Sequence, residues 1–376
     1  TEFNDRQKQF SEEINLSGRV GGLGYVLGFY YIDEDITSDS YVRNHLAGLA
    51  IHPHPSVHTK AWSLYGQATY DLTAQLSVTA GVRYTEEDKT FEQHYDRFLF
   101  PSGTIVLGPI EYVGSDTYKA WTPKFGIEYR PVEDLMIYAS VTRGFKSGGF
   151  NFASFNPAQG YDPELLWSYE AGFKSELFEN RLRLNATGFI YDYTDLQVQS
   201  FLTPGVIDIT NAADAKVKGV EVEVVARPIE GLDFGGTLAY LDAEYGTYNP
   251  AFAPGNIAFD ASGNRLNSAP KWNYSLYGQY SAQLGGLGSI FMRGEYSWRD
   301  LQYFTPVNAF PEAQGSYGLV NAAIGYMSPD EHWQAIIFGR NLADEEYITS
   351  SGSFTARPAG HVGEPRTWGV RLSYTY

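Results

Sequence analysis

Hydrophobic and polar residues alternate one by one over much of this chain. From Trp368 to Tyr376 one parity reads Trp368, Val370, Leu372, Tyr374 and Tyr376, and the other reads Gly369, Arg371, Ser373 and Thr375. Successive side chains of an extended strand point to opposite faces, so this stretch predicts a strand with one apolar and one polar face. The same split recurs at Leu76, Val78, Ala80, Val82 and Tyr84 against Ser77, Thr79, Gly81, Arg83 and Thr85. It returns at Ile290, Met292, Gly294, Tyr296 and Trp298 against Phe291, Arg293, Glu295, Ser297 and Arg299. In a soluble sandwich the aromatics would scatter over the core. Here they gather at strand ends, with Trp272 and Tyr274 opening one strand and Tyr374 and Tyr376 closing another. That is the girdle pattern of a lipid-facing barrel.

The connections add a second regularity. Short links fall near Val20 to Gly24, Asp71 to Gln75, Pro131 to Asp134, Phe178 to Arg181, Pro228 to Gly231, Gly285 to Gly288 and Ser328 to His332. Long links fall near Asp35 to Ser56, Gln93 to Ser115, Phe145 to Glu164, Thr203 to Asp214, Gly246 to Pro270, Thr305 to Gln314 and Ala343 to Glu364. The two kinds alternate along the chain, as periplasmic turns and extracellular loops do in an outer-membrane barrel, and as neither a sandwich nor a propeller requires. The expected fold is all-β, a transmembrane antiparallel β-barrel domain spanning residues 1–376, with about fifteen strands. If the C-terminus is periplasmic, the first strand, near Glu12 to Gly21, runs inward, and Thr1 to Phe10 is the tail of an extracellular loop. Single-chain bacterial barrels have an even strand number and no free edge. Closure is therefore expected to draw on upstream residues or on a second polypeptide.

Composition narrows the functions. The chain of 376 residues has 29 Tyr, 39 Gly, no Cys and 3 Met, a strand-and-turn composition. Its formal charge of -17, from 44 acidic and 27 basic residues, disfavours a nucleic-acid partner, which needs a basic face. Unbroken apolar runs such as Ala335 to Phe338 fall far short of the ~18 residues of a membrane helix. A mean hydropathy of -0.30 is compatible with a barrel whose strands alternate and whose loops are polar. Thr1 to Phe10 has no signal-peptide character, so an export signal is expected upstream.

Two blocks carry a family resemblance. Thr142 to Asn151 reads TRGFKSGGFN, and Tyr161 to Gln197 reads YDPELLWSYEAGFKSELFENRLRLNATGFIYDYTDLQ. Gly339 to Gly352 reads GRNLADEEYITSSG, and the chain closes from Gly363 with GEPRTWGVRLSYTY. In combination these resemble the barrel of TonB-dependent receptors of the iron-complex type. The resemblance implies a barrel of about 22 strands with an N-terminal plug in its lumen, and neither plug nor TonB box is found in these residues. It implies TonB, ExbB and ExbD as energy-coupling partners acting through the plug. It also implies a small-molecule ligand, most often a ferric siderophore, and residence in the outer membrane of a Gram-negative bacterium among lipid and lipopolysaccharide. Tyr376 resembles the terminal aromatic that barrel-assembly machinery recognises; the alternative is one more girdle tyrosine. No cofactor is called for. A passive porin and a structural or interaction protein of the envelope are the competing readings.

Candidate site residues lie mostly in the long links. Phe150, Phe152, Phe155 and Tyr161 occupy one, Tyr245, Tyr248, Phe252 and Phe259 another, and Phe304 and Phe310 a third. Exposed aromatics could stack on a ligand, whereas the plainer account is that long loops pack on themselves. His52 and His54 at the end of the 35–56 link and His58 at the start of the next strand, with His45 earlier in the link, are candidate metal ligands, since imidazole suits borderline metals. Against that, His-Pro-His fits no defined site, and no Cys or nearby acid completes a zinc set. Asn341 to Tyr347 reads as a polar strand end turning into solvent. Gly148 and Gly149, with Pro157, Pro163 and Pro204, read as turn devices rather than a phosphate cradle. Arg83, Glu221, Glu223, Arg293, Glu295, Arg299 and Arg371 are expected to face the lumen, because Arg at the bilayer midplane costs on the order of 2 to 4 kcal/mol. Glu221 and Glu223 share one strand face without a nucleophile or base beside them, so no enzyme activity is expected.

Overall fold

A computed structural model describes residues 2–44, 49–99, 101–151, 160–203, 206–253, 257–352 and 359–376. Fifteen strands form one sheet in which each strand pairs with its neighbours in sequence. They are β1 (Glu2–Val20), β2 (Leu23–Asn44), β3 (Leu49–Asp71), β4 (Leu76–Leu99), β5 (Ile105–Val132), β6 (Leu135–Lys146), β7 (Glu164–Leu177) and β8 (Leu182–Thr203). The remainder are β9 (Val206–Ile229), β10 (Leu232–Tyr245), β11 (Trp272–Gln283), β12 (Ser289–Arg299), β13 (Tyr317–Met327), β14 (Trp333–Arg340) and β15 (Thr367–Tyr374). Every pairing is antiparallel, and the edge strands β1 and β15 are not paired with each other among the described residues. No described helix is long and apolar enough to cross a membrane, which says nothing of a barrel.

Register carries one face around the whole sheet. Leu27 opposes Leu16 on β1 and Gly66 on β3, and Leu64 opposes Phe29 and Tyr84. Leu276 opposes Gly236 and Tyr296, and Ile337 opposes Ile324 and Val370. These apolar side chains stand free of the rest of the molecule: Leu64 is 60% exposed, Ile337 61% and Val370 61%. A water-facing sheet would not hold so many bare aliphatics in register, so this is the lipid face. Aromatic belts bound it. Trp62, Tyr84 and Trp121 follow one another with ring centres 5.4 and 4.8 Å apart, and Tyr240 meets Trp272 at 4.8 Å, all toward the extracellular end. At the other rim Trp333 meets Tyr374 at 4.8 Å.

The opposite face is polar and internally matched. Arg83 donates to Ser63 Oγ at 2.8 Å and lies over the Tyr65 ring. Arg293 donates to Glu295 at 2.6 Å and sits 4.2 Å from the centre of the Tyr277 ring. Asn185 donates to Glu223 at 3.0 Å. Register puts Glu221, Arg299 and Arg371 on this face too, so all seven charges expected in the lumen share one side of the sheet.

Strand lengths depart from expectation. β1 starts at Glu2 and pairs with β2 down to Tyr41, so Thr1 to Phe10 is largely strand rather than a loop tail. The expected loops 35–56, 93–115 and 203–214 are mostly paired too, because β2 with β3, β4 with β5 and β8 with β9 continue as hairpins beyond the membrane. Polar composition misled here: outside the bilayer both faces of a hairpin are wet, so apolar alternation lapses while the backbone ladder goes on. At the short turns the local sequence matches the backbone. Gly231 turns β9 into β10 at φ 79°, and a Cβ there would meet the Ser281 carbonyl oxygen at 2.2 Å.

A parity test follows. In the full-length protein refolded into bilayers, Val224→Arg on the lipid face should destabilise the barrel by about 2–4 kcal/mol in denaturant titrations. Thr237→Arg on the lumen face of the neighbouring strand should cost under about 1 kcal/mol. Equal costs would refute the assignment of faces.

Candidate ligand-binding surface

The extracellular links fold back onto the inner wall. The link after β6 turns inward at Ser147, and Phe150 stacks on Phe91 of β4 with ring centres 5.2 Å apart and planes 8° off parallel. The two glycines of the GGF stretch permit this approach. A Cβ at Gly148 would lie 2.4 Å from both the Tyr118 ring and the Tyr161 carbonyl oxygen, and one at Gly149 2.6 Å from the Tyr161 hydroxyl. Lys89 donates to the Gly148 carbonyl at 2.9 Å, and Gln197 donates to Ser147 at 2.9 Å and Asp162 at 3.1 Å. Asn151 exchanges two hydrogen bonds with the Ile209 backbone, and Asn211 does the same with Asp162.

The link between β10 and β11 has its own small core. Tyr245 and Tyr248 pack with Val198, Ala213, Ala251 and Ala261, and Phe259 and Leu266 close over them. Tyr248 is 1% exposed, and burial pushes its phenol up to about 12. Burial raises the Tyr245 phenol as well. The next link is tied to this one. Asn308 accepts from Arg265 N–H at 2.7 Å and donates to the Arg265 carbonyl at 3.0 Å, while Asn264 donates to the Pro306 carbonyl at 2.7 Å. The last link is tied in turn, since Ile348 N–H donates to Gln314 at 2.7 Å and Tyr347 stacks on Tyr317 at 4.6 Å. Asn341, 3% exposed, holds its base by donating to the Glu345 and Glu364 carbonyls and accepting from Glu345 N–H.

The sequence candidates therefore separate. Phe150, Tyr245 and Tyr248 are packed within the loop layer and offer no free ring, because loops this long need an apolar core of their own. Tyr161 is half-buried beside Gly149, Phe304 is half-buried, and Phe310 is 73% exposed. Phe152, Phe155 and His45, and the side chain of Phe252, lie outside the described residues. Tyr376 is fully exposed at the periplasmic rim, its ring edge-on to Tyr374 at 5.1 Å. His52 and His54 come together with Asp39, and His58 comes together with Asp33 and Asp35, so acids do stand beside these histidines. Sequence order hid them, since the partners are cross-strand neighbours such as Asp35 opposite His58. The straps Asn151, Gln197, Asn211, Asn264, Asn308 and Gln314 carry no signal in the sequence either. An isolated Asn or Gln in a polar link reads as an ordinary turn residue, and nothing local betrays a partner dozens of residues away.

The inner wall also gathers Arg293, Glu295, Asn321, Arg340 and Arg371 around one recess between β12 and β15. Charged side chains on this face of the sheet thus lie on the same molecule as extracellular links that are strapped to one another. A family model for the TonB-dependent receptor-like β-barrel matches residues 1–342.

The chain belongs to the TonB-dependent receptor family. The receptor barrel is 29% identical over 178 residues to the metal-pseudopaline receptor CntO of Pseudomonas aeruginosa, covering 47% of this chain and 23% of that protein. It is 22% identical over 315 residues to the pesticin receptor of Yersinia enterocolitica, covering 81% of this chain and 42% of that protein. Its fold superposes on the ferric yersiniabactin uptake receptor FyuA of Yersinia pestis with a TM-score of 0.82 at 19% identity, over 99% of this chain and 54% of that structure. The chain thus spans about half or less of the length of these relatives. They are receptors, not enzymes, and the family's barrels reside in Gram-negative outer membranes.

Loop packing and loop exposure give opposite expectations for substitution. Tyr248→Ala should destabilise the 246–270 link by about 3–5 kcal/mol, read as faster amide exchange there. Phe310→Ala should change stability by less than about 0.5 kcal/mol. Burial raises the Tyr248 pKa from 10.0 to about 12, so this packing is complete below pH 10 and is lost as pH rises through about 12.

Proposed function

We propose that the receptor barrel forms the C-terminal wall of an outer-membrane active transporter for a scarce metal chelate, of which a ferric siderophore is the simplest case. The observation that supports it most is the family match over residues 1–342 on a fifteen-stranded sheet whose edges remain open to further strands. In this reading upstream strands close the barrel and a plug fills the lumen. Ligand is captured at the loop layer, and TonB with ExbB and ExbD drives its passage by acting on the plug. Phe304 and Phe310, with Phe152, Phe155 and Tyr161, supply aromatic faces to the ligand. The recess with Arg293, Arg340 and Arg371 suits an anionic chelate or acidic groups of the plug. The relatives' named ligands include metal-pseudopaline and ferric yersiniabactin complexes, which favours metal chelates over sugars or cobalamin.

The test is radiolabelled iron uptake from a panel of ferric siderophores by cells lacking the gene and by complemented cells. At least one siderophore should be taken up only by complemented cells, and its uptake should vanish when TonB is removed. Uptake that persists without TonB would overturn the reading. Phe310→Ala should weaken binding of that siderophore about three- to tenfold, the loss of one aromatic contact of ~0.5–1.5 kcal/mol.

A further inference from the structure

Four of the chain's 7 histidines, His52, His54, His58 and His94, stand on the same face of the β3–β4 hairpin. That face is the outer one. Alternation runs without a register shift from Leu64 and Trp62 through Lys60, His58 and Ser56 to His54 and His52, so the histidines continue the lipid-facing row beyond the extracellular belt. His54 lies eight residues past Trp62, about 26 Å along the strand at ~3.3 Å per residue, clear of the hydrocarbon. It is also on the far side of the wall from the lumen.

We propose that Asp39, His52 and His54 form a site for a borderline divalent transition-metal ion, with Zn2+ as the type case, on the outer wall of the barrel. His52 Nε2 is 2.8 Å and His54 Nδ1 3.5 Å from the same carboxylate oxygen, Asp39 Oδ1, and the two imidazole rings are 4.0 Å apart. Ligand atoms held at about 2.0–2.2 Å in a tetrahedron around zinc are roughly 3.3–3.6 Å from one another. The two imidazole–carboxylate distances, 2.8 and 3.5 Å, lie near that spacing, and all three donors fall within 4.8 Å of one another. Two imidazoles and one carboxylate suit Zn2+, Co2+ or Ni2+ and not Mg2+ or Ca2+, which take oxygen ligands. The fourth position is left to water. His-Pro-His is the spacing that a strand requires, since residues two apart project from one face.

His58 is a different arrangement. Its Nδ1 is 2.7 Å from Asp35 and its Nε2 3.7 Å from Asp33, so this second group sets one imidazole against two carboxylates, a harder donor set that suits a borderline ion less well than two imidazoles and one carboxylate. The upper cluster has a structural task as well. Register pairs between β2 and β3 lapse between Thr37–Ser56 and Val42–Ile51, where Pro53 and Pro55 have no N–H to donate. An ion held by Asp39 on β2 and by His52 and His54 on β3 joins the two strands across that lapse.

The probe is Zn2+ added to the metal-stripped full-length receptor in detergent, read by amide exchange of peptides covering residues 38–55, with Co2+ absorption as a second signal. Zn2+ should slow exchange there in the wild type and in His58→Ala. His54→Ala and Asp39→Asn should weaken the effect at least about tenfold in Zn2+ concentration and remove the visible bands of bound Co2+. Unchanged circular dichroism and melting of the metal-free variants would show that their fold is intact. The proposal is overturned if Zn2+ leaves residues 38–55 unprotected in the wild type, if His54→Ala is protected equally, or if Mg2+ acts at the same concentration.

Discussion

A peptide group inside hydrocarbon has no water to bond, so each strand that crosses must find its partners in the strands beside it. The architecture follows from that requirement. The register shifts of the large sheet fall in the outer halves of its long hairpins, at Tyr95 to Phe98 on β4 and Tyr193 to Thr203 on β8, or beside the short turns after Tyr129 and Ala226. Regular pairing fixes parity, and parity decides which side chains meet lipid and which meet the lumen. Arg83, Glu223 and Arg293 are tolerable only because this coupling turns them inward, where Ser63, Asn185 and Glu295 meet them. Among the described residues the edges of β1 and β15 are not paired with each other, so their outward backbone groups are the ones this requirement leaves without a strand partner.

Beyond the rims the constraint relaxes and the loops obey another. Water can satisfy their backbone, so they need side-chain reasons to hold a shape. Here those reasons are small apolar cores, such as that around Tyr248, and amide side chains that grip distant backbone, such as Asn151 on Ile209 and Asn308 on Arg265. These straps tie the link after β6 to the β8–β9 hairpin, the link after β10 to the one after β12, and that one to the last. Aromatics spent on that packing are unavailable to a ligand, whereas Phe310 stands 73% exposed.

The membrane-spanning part was legible in the sequence because its physics is periodic. Alternation from Leu76 to Thr85 and from Trp368 to Tyr376, together with alternating link lengths, led to the strand count, the antiparallel order and the inward charges. The hairpin extensions were hidden, since Asp33 to Asp39 and Pro53 to His58 look like loop when both faces are wet. The Asp39, His52 and His54 cluster was hidden for a related reason: its acid arrives from the neighbouring strand, and only register reveals it. Loop aromatics could be located but not sorted, because the packed Tyr245 and the bare Phe310 look alike along the chain.

The central claim is that this wall belongs to a plugged, energy-coupled transporter rather than to an open pore. Planar-bilayer conductance of the full-length receptor addresses it most directly. A plugged barrel should stay nearly closed at rest and conduct only after the plug is unfolded or removed. A large, steady conductance from the untreated protein would contradict the account and return the chain to the porins.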